Sequence, residues 1–184
     1  MKFFKQEIPD IVLIKPTKFE DNRGYFIETY RQDLFNKALD LDVNYIQENE
    51  SKSEKGVLRG LHYQIEPYAQ AKLVRVIDGC ILDVVVDIRK SSNTFGKHLS
   101  FKLSDENNYQ LYIPHGFAHG FIVLSDSATF SYKVDNLYAP EYERGIAFND
   151  KGLAIDWQLP VHALKLSIKD KSNPTISEAQ ELFK

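Results

Sequence analysis

The sequence predicts an all-β protein, a sandwich or barrel of short strands, and three observations predict it. Short apolar or alternating runs recur along the whole chain, clusters of turn-forming residues separate them, and helical periodicity is confined to two places. With 184 residues, 43% of them hydrophobic and 27% charged, the chain is long enough to bury a core and too apolar to stay disordered. No linker, repeat or low-complexity stretch divides it, so residues 1–184 are expected to form one domain.

The elements follow in order. In MKFFKQEIPD the apolar residues are interrupted by Lys5, Glu7 and Asp10, which argues against a signal peptide or a spanning helix. The first expected strand is IVLIKP. The turn DNRG leads into GYFIETY, and RQDLFNKAL over 31–39 has the spacing of a helix. Next come VNYIQEN, the turn SEKG, and GVLRGLHYQ over 56–64. KLVRVI and CILDVVVDI are separated by the turn Asp78-Gly79. Within the latter, Leu82, Val84, Val86 and Ile88 share one face and Asp83 and Asp87 the other, giving one apolar wall and one mixed wall. HLSFKL, NYQLYI, FAHGFIVL and ATFSYKV complete the strands, divided by SDENN, PHG and SDS; TISEAQELF, 175–183, is expected to close the chain as a short helix.

Charge and cysteine content exclude several classes of function. A net charge of −3 leaves no electrostatic footprint for nucleic acid or an anionic membrane, so neither is an expected partner. The single cysteine, Cys80, excludes an internal disulfide and a cysteine metal cluster, and fits the reducing cytoplasm.

Polar residues inside the strands carry the functional signal. GVLRGLHYQ places Arg59 and His62 where apolar side chains are expected. The spacing around His62 resembles the two metal motifs of cupin β-barrels. His62 stands in a histidine slot, Gln64 where a second histidine belongs, Lys72 in the glutamate slot before Gly79, and Pro114-His115-Gly116 leads to His119. An amide and an ammonium in place of an imidazole and a carboxylate are poor ligands, so no metal and no cofactor is expected. Strict alternation puts Arg59 with Leu61 and Tyr63 on one face, and His62 with Leu58 and Gln64 on the other. A β-bulge at Gly60 is expected to shift that parity and turn both polar residues toward one substrate.

A wider resemblance rests on DNRGYFIE, GVLRGLHYQ, QAKLVRV, YIPHGFAHGF, Tyr132-Lys133, PEYERGIAFND and LSIKD, which occur in this order over nearly the whole chain. They resemble the dTDP-4-dehydrorhamnose 3,5-epimerase family. The resemblance implies a cupin-like jelly roll, usually a homodimer, acting without metal at the two carbons that flank the ketone of a nucleotide-linked 4-keto-6-deoxyhexose. By position it implies His62 as proton acceptor, Asp170 as its carboxylate partner and Tyr132 as proton donor. It implies substrate contacts at Arg23, Phe26, Glu28, Gln47, Asn49, Arg59, Lys72, His119, Glu143 and Lys169, and base stacking at Tyr138. It further implies a cytoplasmic step of dTDP-rhamnose biosynthesis, supplying cell-surface polysaccharide.

The residue types suit that chemistry. A C4 ketone acidifies the hydrogens on C3 and C5, and epimerisation needs a base and a separate acid on opposite faces. Histidine paired with a carboxylate suits the base, and lysine stabilises the enolate oxygen. Arginine matches phosphate. Taken one at a time, Lys72 also reads as a solvated edge lysine, Tyr132 as core, Asp170 as a turn residue, and Tyr138 with Tyr142 as loop aromatics; His98, His115 and His162 read as surface or structural. A single-centre epimerase on a related nucleotide 4-keto sugar and a small-molecule-binding cupin without this activity both stay open. A strand around RGYFIETY is expected to join the sheet of a second copy.

Overall fold

Strands whose apolar residues alternate can bury one face each, and here they pair antiparallel into two facing sheets. The computed structural model describes residues 1–184 and contains thirteen strands, numbered in chain order. The six-stranded sheet runs β1 (Lys2–Lys5), β2 (Val12–Lys15), β10 (Gln110–Ile113), β7 (Lys72–Asp78), β12 (Ser127–Val134), β5 (Gln47–Glu54). The five-stranded sheet runs β13 (Glu143–Gly145), β6 (Leu58–Gln64), β11 (Phe117–Val123), β8 (Cys80–Asp87), β9 (His98–Ser104). A separate hairpin pairs β3 (Lys18–Asp21) with β4 (Gly24–Ile27), the expected DNRG turn at its tip.

Three apolar layers hold this arrangement. Val74, Val76 and Phe130 from one sheet meet Ile81, Val85, Phe121 and Val123 from the other, and fill one end of the sandwich. Leu58, Leu61, Leu82, Val84, Val86 and Ile122 face outward from the five-stranded sheet, where Ile146, Leu153 and Trp157 cover them. Helix α1 (Gln32–Leu39) lays Phe35 over Leu73 and Tyr112 on the outer face of the six-stranded sheet. The two walls expected of β8 are thus both buried: the apolar wall lies under the C-terminal segment, and the mixed wall, with Asp83, looks between the sheets.

Several boundaries differ from those expected. β5 begins at Gln47 and continues to Glu54, beyond VNYIQEN, because it is a polar edge strand held by its backbone ladder to β12 while Tyr45 turns into the aromatic cluster around Phe35. TISEAQELF is not a helix. Glu178 caps Thr175 in a single turn, and the chain then extends so that Phe183 bridges Arg89 and packs on the outer apolar layer. The short helix near this end is α2 (Ile168–Lys171) instead.

The ladder of β6 slips at Gly60. Arg59 lies opposite Phe121 and His62 opposite His119, so two residues of β6 face Gly120 alone. Gly60 has φ +122°, and a Cβ there would lie 2.5 Å from the Gly120 Cα, so this position requires glycine. After the slip Leu58, Leu61 and Tyr63 share the outer apolar layer, while Arg59 and His62 both face the inner side, as the expected bulge requires.

Candidate active site

At its open end the sandwich holds a cleft of about 590 Å³ between the two sheets. From β6 of the five-stranded sheet come Arg59 and His62, and from the neighbouring β11 comes His119. The facing six-stranded sheet contributes Lys72 from β7 and Tyr132 from β12. Tyr138, Glu143, Lys169 and Asp170 close the rim, and Phe121 with Phe130, 4.4 Å between ring centres, adds an apolar patch.

His62 is oriented by carboxylates on both sides. Its Nε2 donates to Asp170 Oδ1 at 2.5 Å, and its Nδ1 lies 3.8 Å from Glu143 Oε1. Asp170 is itself fixed: its Oδ2 accepts from the Ser167 hydroxyl at 2.8 Å, and that hydroxyl oxygen accepts from the Asp170 backbone N–H as the N-cap of α2. Burial alone would raise the Asp170 carboxyl, but the hydrogen bond and charge of His62 hold it below its ordinary value. With Nε2 committed, Nδ1 is the nitrogen free to take a proton.

Across the cleft, burial raises the Tyr132 phenol, against a hydrogen bond from the Asn49 side chain, so Tyr132 keeps its proton at neutral pH. Lys72 makes no ion pair within the chain, and burial pushes its ammonium down to about 8 against the pull of Asp83 and Glu143. Arg59 donates from Nε to Ser53 at 3.2 Å and leaves its two terminal nitrogens unpartnered, a fork suited to an anionic oxygen pair. Burial also raises Glu143, but Lys169, which pairs with it, and the Tyr138 hydroxyl at 2.6 Å hold its carboxyl below the usual range.

Nine of the expected site residues line this cleft: Arg59, His62, Lys72, His119, Tyr132, Tyr138, Glu143, Lys169 and Asp170. Gln47 and Asn49 stand behind it. Gln47 donates to Asn49 at 2.8 Å and accepts the Tyr138 backbone N–H at 3.2 Å. Arg23 and Phe26 lie elsewhere, on the β3–β4 hairpin, where the Arg23 side chain is 85% exposed and paired with Asp21. Glu28, just after β4, does not line the cleft either. Gln64, in the slot of a second cupin histidine, turns away from the cleft and holds Tyr68 O, Leu137 O and Ala139 N, which pins the loop around Tyr138.

Two residues of the site escaped sequence reasoning. Ser167 was visible as the start of a Ser-x-x-Asp cap, and Asp83 as an acid on the inner face of a buried strand. Of the histidines left aside, His115 pairs with Asp135 at 2.9 Å on the surface, outside the cleft.

Comparison with known proteins gives this architecture its relatives. Residues 5–178 match the family model of dTDP-4-dehydrorhamnose 3,5-epimerase. The chain is 55% identical over 170 residues to the dTDP-4-dehydrorhamnose 3,5-epimerase of Shigella flexneri, a match spanning 92% of this chain and 93% of that one. The crystal structure of the enzyme of that name from Elizabethkingia anophelis superposes with a TM-score of 0.93 at 49% identity, over 97% of both chains. The dTDP-6-deoxy-D-glucose-3,5-epimerase of Legionella pneumophila, crystallised with dTDP-4-keto-L-rhamnose, gives a TM-score of 0.96 at 41% identity, over 100% of this chain and 97% of that one. The match of sequence and of cupin-like sandwich alike, over nearly the full length, means that the chain belongs to the dTDP-4-dehydrorhamnose 3,5-epimerase family.

Proposed function

We propose that the cleft converts dTDP-4-dehydro-6-deoxy-D-glucose to dTDP-4-dehydro-L-rhamnose by inverting C3 and C5 in turn. The observation that carries this is His62 on one sheet, backed by Asp170 of α2, with Tyr132 on the facing sheet, so that a sugar ring between them meets a base and an acid on opposite faces. His62 Nδ1 takes the proton from the carbon beside the ketone, and the C–H electron pair forms the enolate with charge on the C4 oxygen. Asp170 stabilises the resulting imidazolium, and Lys72 stabilises the enolate oxygen. Tyr132 then delivers its hydroxyl proton to the other face and is reprotonated from solvent, as is the base. Each proton-transfer group is a side chain of the cleft, so the proposed reaction calls on no cofactor.

Arg59 is assigned to the diphosphate and Tyr138, half exposed at the rim, to the base. Incubation with dTDP-4-dehydro-6-deoxy-D-glucose in deuterated water, followed by NMR, tests the reading. Deuterium and inversion at both C3 and C5 are expected; inversion at one carbon alone would make this a single-centre epimerase, and exchange at neither would leave a binding protein.

We further propose a homodimer of one-domain subunits acting in the cytoplasm. Phe19, Tyr25 and Phe26 are 61%, 58% and 69% exposed on the β3–β4 hairpin, an apolar surface that a second copy would cover. Seated at the free edge of the partner's β5, the hairpin would bring Arg23, Phe26 and Glu28 to the partner's cleft.

A further inference from the structure

Asp83 takes no part in the proton transfers proposed above, yet it is fully buried on the inner face of β8. One of its oxygens, Oδ2, lies 2.9 Å from His119 Nε2, while Oδ1 is buried without any hydrogen-bond partner. A buried carboxylate with half of its bonding capacity unspent is costly, and a residue serving packing alone would be better apolar. Two cleft residues stand to gain from that charge. His119 is 7% exposed and lines the cleft, and its Nδ1 has no partner within the chain. Lys72 lines the cleft as well and has no carboxylate at ion-pair distance.

We propose that Asp83 is a positioning residue: it holds the Nε2–H tautomer of His119, so that Nδ1 accepts a hydrogen bond from a substrate hydroxyl, and it supplies the buried negative charge that balances the Lys72 ammonium. Burial lowers the pKa of His119 in spite of Asp83, so the ring is neutral at pH 7 and one nitrogen must be an acceptor. Because the carboxylate can only accept, the acceptor is Nδ1. The titratable and charged groups that share the cleft with Lys72 or act on it include Asp83 on β8, His119 on β11, Arg59 and His62 on β6, Tyr132 on β12, Tyr138 at the rim, Glu143 on β13, and Lys169 with Asp170 on α2. Two of these, Asp83 and Glu143, favour its ammonium, and Asp83 does so more strongly.

The inference rests on the epimerase reading, and wild-type turnover tests that reading separately: an inactive wild type would sink the reading before Asp83 is touched. The test of Asp83 is Asp83→Asn, which keeps the volume and removes the charge. In the active wild type, kcat is expected to have an alkaline limb near pH 8 set by Lys72, and in the variant that limb should move down by about one unit. At pH 7 that shift leaves about half of Lys72 charged, so kcat should fall about twofold there and more steeply above it, with nucleotide affinity unchanged. Nitrogen NMR of the wild-type protein, which needs no variant to fold, should show His119 protonated on Nε2 alone. A His119 protonated on Nδ1, or an alkaline limb unmoved in a folded Asp83→Asn enzyme, would overturn the assignment.

Discussion

His62 and Asp170 lie 108 positions apart in sequence and 2.5 Å apart in space, so the proposed base is assembled by the fold and not by any local motif. Tyr132 completes the two-sided arrangement, and Tyr132→Phe separates its halves. The ring and its packing on Phe130 remain, the enolate still forms, and the imidazolium can return the proton to the original face. The variant should therefore exchange substrate hydrogen for deuterium while losing most inversion; equal loss of both in a folded, substrate-binding variant would place the hydroxyl in enolate formation. The role proposed for Lys72 sets the expected pH dependence. If its cationic form stabilises the enolate, kcat should fall as pH rises through about 8. For folding the sign is reversed: a lysine depressed from 10.5 to about 8 opposes folding at neutral pH, by about 3 kcal/mol at most, and the opposition fades between pH 8 and 10.5. Lys72→Met should thus raise the melting temperature while abolishing most turnover, and a variant both less stable and fully active would refute the role.

At the scale of elements, the slip in β6 is what makes the cleft possible, since without it Arg59 and His62 would face opposite sides of the sheet. Gly60→Ala would force a Cβ against Gly120 at a φ that side chains disfavour, so we expect a loss of about 2 kcal/mol or more in chemical denaturation. Wild-type stability in that variant would show that the backbone can relax there. This slip was legible beforehand, because two polar residues of opposite parity flanked a glycine in one apolar strand. The apolar runs likewise marked β6, β8 and β11, whose burial is written into their composition. What stayed illegible has physical causes. β5 is bound by backbone hydrogen bonds at a polar edge, which leave no hydrophobic pattern. TISEAQELF has helical spacing, but Leu182 and Phe183 gain more by extending over the outer sheet layer. Asp170, in an ordinary-looking turn sequence, carried no local sign of His62 and was singled out by family resemblance alone.

At the scale of the whole molecule, the β3–β4 hairpin is the part that one subunit leaves unfinished. If it completes a neighbour's cleft, Arg23→Ala and His62→Ala should each be inactive alone, yet mixed dimers should regain activity. One cleft of such a dimer would hold both His62 and a wild-type Arg23 from the other subunit. Co-expression of the two variants, with turnover compared with either alone, checks this; no recovery in a demonstrated heterodimer would confine Arg23 to its own subunit. The distance between His62 and Asp170 along the chain has a consequence for synthesis. A ribosome makes both sheets before it reaches the segment carrying Trp157, α2 and Phe183. Until that segment emerges, the nascent chain exposes the outer apolar layer of the five-stranded sheet, and His62 lacks Asp170, the carboxylate that holds its Nε2. Chaperone demand should therefore peak late in translation, and catalytic competence should arrive together with the cover that ends it.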